Sequence, residues 1–123
     1  MTLLVMCCMA SYAQTLKVTD VSSENEKLYS SVSKRNLGKN LILEIYDKAA
    51  KVTLANEKPL IMKQVSNGLY HTVVEDRQTE VMTADLTVDK ILGVVSTAKF
   101  KITISETGGK HRTASYVVTG KRY

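Results

Sequence analysis

Apolar residues recur at every second position over most of the chain, and this period constrains the fold more than any other feature. Phe100, Ile102 and Ile104 alternate with Lys99, Lys101, Thr103 and Ser105, the pattern of a strand with one face on a core and the other in water. Leu41, Leu43 and Ile45 alternate with Ile42, Glu44 and Tyr46. Met82, Ala84, Leu86 and Val88 alternate with Thr83, Asp85, Thr87 and Asp89. Ala114, Tyr116 and Val118 alternate with Thr113, Ser115, Val117 and Thr119. Further strands are predicted over 15–21, 51–54, 60–65, 69–75 and 91–97, where Thr, Val and Ile suit a pleated, half-buried surface. One segment departs from the period. Ser23 followed by Glu26 has the form of a capping box, which predicts a short helix over 24–31 with a strand over 27–32 as the alternative.

The turns fix registers as well as boundaries. Asn67-Gly68 is the signature of a two-residue hairpin loop, since both residues tolerate positive φ. That loop places Val65 opposite Tyr70 and Ile61 opposite Val74. At Gly108-Gly109 a two-residue loop would set Ile104 against Thr113, mixing apolar with polar. An odd loop of three or five residues instead pairs Ile104 with Ala114, Ile102 with Tyr116 and Phe100 with Val118, with Glu106 facing Arg112. A slip of one residue turns every side chain to the other face, so the odd loop is expected. The same test at 76–79 favours an odd loop that matches Val74 with Met82 and Tyr70 with Leu86.

Consecutive hairpins of this kind form an antiparallel meander of about eight strands in one domain. Such a sheet must curl into a barrel or fold into two layers, because open edges are a liability. In strand count and order the chain resembles the lipocalin-like proteins, which implies a small all-β barrel; a β-sandwich is the alternative. The Gly-x-Trp signature of true lipocalins is absent, since the chain has no tryptophan, so their ligand chemistry is not carried over.

The first residues read as a leader. Leu3 to Met9 is an apolar run, followed by Ser11 and Ala13, small residues that fit a signal-peptidase site. No Lys or Arg precedes Gln14, which leaves the positive charge of a signal to the terminal amine or to an upstream start. The run is about half of the ~20 residues that a membrane-spanning helix needs. Residues 1–13 are therefore expected to be a cleaved signal peptide and 14–123 an exported domain, periplasmic or secreted. The alternative is a lipid anchor through Cys7 or Cys8, although Met6 and Cys7 are not the small residues that usually precede a modified cysteine. Cleavage after Ala13 removes both cysteines, and with them thiol catalysis, disulfides and cysteine metal sites.

Net charge is +5, which favours acidic partners, yet Lys and Arg are scattered and interleaved with acids, as on an ordinary solvated surface. Lys99 and Lys101 alternate outward on one strand, with Lys63 and Lys51 on strands that would lie alongside; Lys63, Lys99 and Lys101 are the candidates for an anionic polymer. Export points to glycans or lipid head groups and not to nucleic acid, and few aromatics interleave with these bases for stacking.

Catalytic chemistry has little to stand on. The two histidines, His71 and His111, fall on predicted strands, with His71 on the face of Gln64 and Ser66, away from the core. A zinc site needs three or four convergent ligands, which two histidines without cysteine do not supply. The only adjacent carboxylates, Glu75-Asp76, sit at a predicted turn, where charge serves solvation. Gly108-Gly109-Lys110 lacks the upstream glycine, the following Ser or Thr and the helix of a phosphate loop, and no Gly-x-Ser-x-Gly is present. No cofactor or metal is expected and no enzyme activity.

The expected function is noncatalytic binding, either of a small apolar ligand or of an envelope or extracellular protein through exposed aromatics such as Tyr29, Tyr46 and Tyr123; a glycan or head-group binder is the alternative. These differ structurally. A carrier should hold a cavity of at least roughly 300 Å³ lined by inward residues, a partner-binding domain a filled core with an exposed apolar patch or open strand edge, and an enzyme a cleft with converging carboxylates or a perturbed histidine.

Overall fold

The computed structural model describes residues 13–24, 38–54, 57–76, 78, 80–106 and 113–122. They form eight strands: β1 (Ala13–Glu24), β2 (Asn40–Ile45), β3 (Ala49–Leu54), β4 (Leu60–Ser66), β5 (Leu69–Asp76), β6 (Glu80–Ile91), β7 (Val94–Glu106) and β8 (Thr113–Arg122). Each pairs antiparallel with its neighbour in sequence, and β1 pairs with β8 from Leu16↔Arg122 to Glu24↔Ser115. The sheet is thus a closed barrel in which every strand has a partner on both sides over part of its length, and the sandwich alternative falls. Among the described residues there is no helix; Glu24 ends β1, and the rest of the segment read as a helix lies outside them.

Alternation drives the closure. Leu16 and Val18 of β1, Leu41 and Leu43 of β2, Leu86 and Val88 of β6, and Ala98, Phe100 and Ile102 of β7 all face inward and are buried. Their sequence neighbours Lys17, Thr87, Lys99 and Lys101 are exposed. The core needs both sizes of side chain, because inward atoms from eight strands converge on one axis. Gly120 and Ala98 are small where Leu16 and Leu41 are large: a Cβ on Gly120 would lie 3.0 Å from Leu41 Cδ2 and 3.1 Å from Leu16 Cβ.

The β7–β8 register is the expected one, with Ile104↔Ala114, Ile102↔Tyr116 and Phe100↔Val118; residues 107–112, including Gly108, Gly109 and Arg112, lie outside the described residues. The β4–β5 hairpin differs. Its two-residue loop is present, with Ser66↔Leu69 and Gly68 at φ 78. A bulge at Val65 then sets Gln64, not Val65, opposite Tyr70. Val65 and Ile61 are consequently 68% and 59% exposed, and Met62 is buried. The expected register would have put Lys63 inward along with them, and a charge in an apolar barrel is expensive. The bulge turns Lys63 out. It also corrects the placing of His71, which lies opposite Lys63 and not on the face of Gln64.

At β5–β6, Tyr70↔Leu86 holds, but a bulge at Val74 pairs Glu75 with Met82 and Asp76 with Val81. The parity expected of the loop is supplied by the bulge, and Val74 still packs against the core. The single strand expected over 91–97 is two strand ends: Ile91 closes β6, Leu92 and Gly93 turn with φ 53 and 80, and Val94 opens β7. Leucine carries no turn signal, which hid this hairpin.

The barrel has two unlike ends. The turns Tyr46–Lys48, Asn67–Gly68 and Leu92–Gly93 ring one, the turn end. The opposite one, the mouth, carries the connections after β1, β3, β5 and β7.

Candidate functional site

Strand lengths open the mouth. β1, β6 and β7 have 12, 12 and 13 residues, against six each for β2 and β3. From Asp20 to Glu24, β1 pairs among the described residues with β8 alone, beyond its last pair with β2 at Lys17↔Asn40. Among the described residues, no strand stands across the barrel from the inward residues of the tall wall at this height. They form an apolar recess of about 340 Å³, lined by Leu60, Val74, Met82, Phe100, Ile102 and Tyr116, with Glu57 and Lys58 at its lip.

Each lining residue is placed by an identifiable local feature. Leu60 is the first residue of β4, immediately after Pro59 ends the lip segment. Val74 is the bulged residue of β5, beside Glu75, whose partner on β6 is Met82. Ile102 and Tyr116 are a cross-strand pair. Phe100, Ile102 and Tyr116 are buried and form the floor, whereas Leu60, Val74 and Met82 are partly exposed walls packed against the core. Below the floor the barrel is filled: Leu16, Leu41, Leu43, Met62, Leu86, Val95 and Val118 are fully buried. The recess thus has a buried base and a partly exposed rim. Apolar walls with a few polar groups at the entrance suit a small apolar molecule with one polar end. Lys58 offers a cation and Glu57 a carboxylate to that end. Among the described residues no histidine lines the recess.

His71 is on the outer wall instead. Its Nδ1 is 2.7 Å from Asp85 Oδ1 across the β5–β6 pair, and the two side chains are about half exposed. An ion pair in water of this kind is worth little. His111 lies outside the described residues. The three candidate lysines do not form one basic track. Lys63 and Lys101 belong to a single outer row, Lys63–His71–Asp85–Lys101, in which an acid stands between them. Lys101 borders a shallow recess of about 230 Å³ with Ser22, Ser23, Ser115 and Val117. Lys99 is flanked by Thr87 and Thr119. Lys51 is held by Glu44 at 3.5 Å. Of the three candidate tyrosines, Tyr46 is at the β2–β3 turn, 40% exposed, with its hydroxyl 3.5 Å from Glu44 Oε2; Tyr29 and Tyr123 lie outside the described residues. No cluster of three or more His, Cys, Asp or Glu suited to a metal occurs among the described residues.

The recess itself was not read from the sequence. Leu60, Val74 and Met82 carry the same apolar signal as the core, and only the mismatch in strand length separates the two sets. Comparison with protein-family models, with curated proteins and with solved structures finds no match to this chain.

Proposed function

We propose that this protein is a noncatalytic binding domain that holds a small apolar ligand in the mouth of its barrel. The observation that carries the reading is the recess of about 340 Å³ with its apolar walls, within the size range of small-molecule sites, about 300–1,000 Å³. Closure of the barrel favours this over a partner-binding module of the strand-addition kind, because no strand presents an unpaired side along its whole length. The outer wall bears Lys63, His71, Asp85 and Lys101 at mid-height, which suits a domain surrounded by water better than one surrounded by lipid tails. Export fits the same reading: cleavage after Ala13 would leave Gln14, in the first turn-end pairs of β1, at the start of the mature domain.

Native mass spectrometry of the protein purified from its own host, followed by denaturing extraction, tests this reading. A stoichiometric apolar molecule of a few hundred daltons is expected. A bare chain, with no saturable uptake of apolar compounds afterwards, would remove the carrier function.

A further inference from the structure

The turn end carries a feature that ligand binding at the mouth does not use. All three of its turns display a large apolar side chain: Tyr46 on the first, Val65 and Leu69 beside the second, Ile91 and Leu92 on the third. Leu92 is 97% exposed and has φ 53, a left-handed conformation that Asn or Gly would adopt with less strain. It thus contributes nothing to the core and fits its turn poorly, so folding does not account for it. Basic side chains gather at the same end. Lys48, Lys90, Lys121 and Arg122 outnumber Asp47 and Asp89 at the turn end, and these four bases have no ion-pair partner among the described residues. Between the second and third turns lies a recess of about 320 Å³, lined by Asn67, Gly68, Val88, Asp89 and Lys90, with room for a head-group phosphate against Lys90.

We propose that the barrel docks end-on to an anionic lipid surface through this end, with Leu92, Ile91 and Tyr46 entering the interface and Lys48, Lys90, Lys121 and Arg122 facing the head groups. Exposed apolar tips ringed by bases are what such a surface binds. The mouth then points away from the lipid, and the recess with it. The chain enters β1 at this same end, through Ala13, so a lipid on Cys7 or Cys8 would tether this end and not the mouth.

Co-flotation of the full chain with vesicles tests the proposal, using phosphatidylcholine alone against an equal mixture with phosphatidylglycerol. Partition to the anionic vesicles is expected to exceed that to neutral ones at least tenfold. A K48Q/K90Q double variant should lower it by about 25-fold, at about fivefold per lysine near the surface. Leu92→Asn should lower it at least about fivefold through lost apolar insertion; because Asn suits the turn, its melting temperature should not fall. Equal partition to both vesicle types, or partition unchanged by Leu92→Asn, would overturn the proposal. So would a lipid-free dimer abolished by Leu92→Asn without vesicle binding, which would assign the surface to a second copy of the chain.

Discussion

Replacing Gly120 with alanine tests the closure of the barrel at its least redundant point. Gly120 stands on β8 opposite Val18 of β1 and Ala98 of β7, and its missing Cβ is the space into which Leu16 and Leu41 pack. The new methyl would meet Leu41 Cδ2 at 3.0 Å, Leu16 Cβ at 3.1 Å and Leu16 Cδ1 at 3.4 Å. The Leu41 methyl ends a flexible side chain and can turn aside. Leu16 Cβ cannot move without its backbone, so β1 must shift against β8. Overpacking of this sort costs about 1–3 kcal/mol, while the reduced freedom of the unfolded chain returns about 0.4–1 kcal/mol. The net expectation is a loss of about 1–2 kcal/mol. Urea unfolding followed by far-ultraviolet circular dichroism would register it as a midpoint lower by about 0.5–1 M, at an unchanged slope of about 2 kcal/mol/M. If β1 and β8 did not meet, the methyl would contact neither Leu16 nor Leu41. A Gly120→Ala variant as stable as the parent, or more so, would therefore refute the seam.

Two other substitutions probe local features. Gln14 clamps the start of β7, its Oε1 accepting from the Val95 N–H at 3.1 Å and its Nε2 donating to the Val95 carbonyl; Gln14→Ala should cost about 1–2 kcal/mol for the two bonds, measured in the same urea titration, and no loss would remove the clamp from the account. His71→Ala should change stability by less than about 1 kcal/mol, because its partner Asp85 and the ring itself are about half exposed; a larger loss would mean that the pair is shielded from water.

Much of the barrel was legible because inward and outward positions differ sharply in chemistry. Parity alone chose Ile104↔Ala114 over the pairing with Thr113, since Ile102 and Phe100 needed apolar partners across the strand. Parity failed where a bulge intervened. At Val65 the clue was present in Lys63, which the unbulged register would have buried; at Val74 there was none, because either face offered an apolar residue. Leu92-Gly93 was invisible for the opposite reason: its first residue is poorly suited to the turn it occupies. The recess depends on β2 and β3 stopping short of β1, β6 and β7, a relation among strands distant in sequence that no local pattern encodes. The outer row Lys63–His71–Asp85–Lys101 is likewise a product of registers, which set an acid between bases that composition alone would group together.

The central claim is that the mouth of the barrel, and not its filled half, receives a small apolar molecule. Titration of the methyl-labelled protein with 1-decanol, followed by nuclear magnetic resonance, tests it most directly. The methyls of Leu60, Val74, Met82 and Ile102 are expected to shift together and saturably, while those of Leu16, Leu43 and Val118 stay in place. Shifts that never saturate, or that fall on Ile91 and Leu92 while the mouth methyls remain unmoved, would contradict the account.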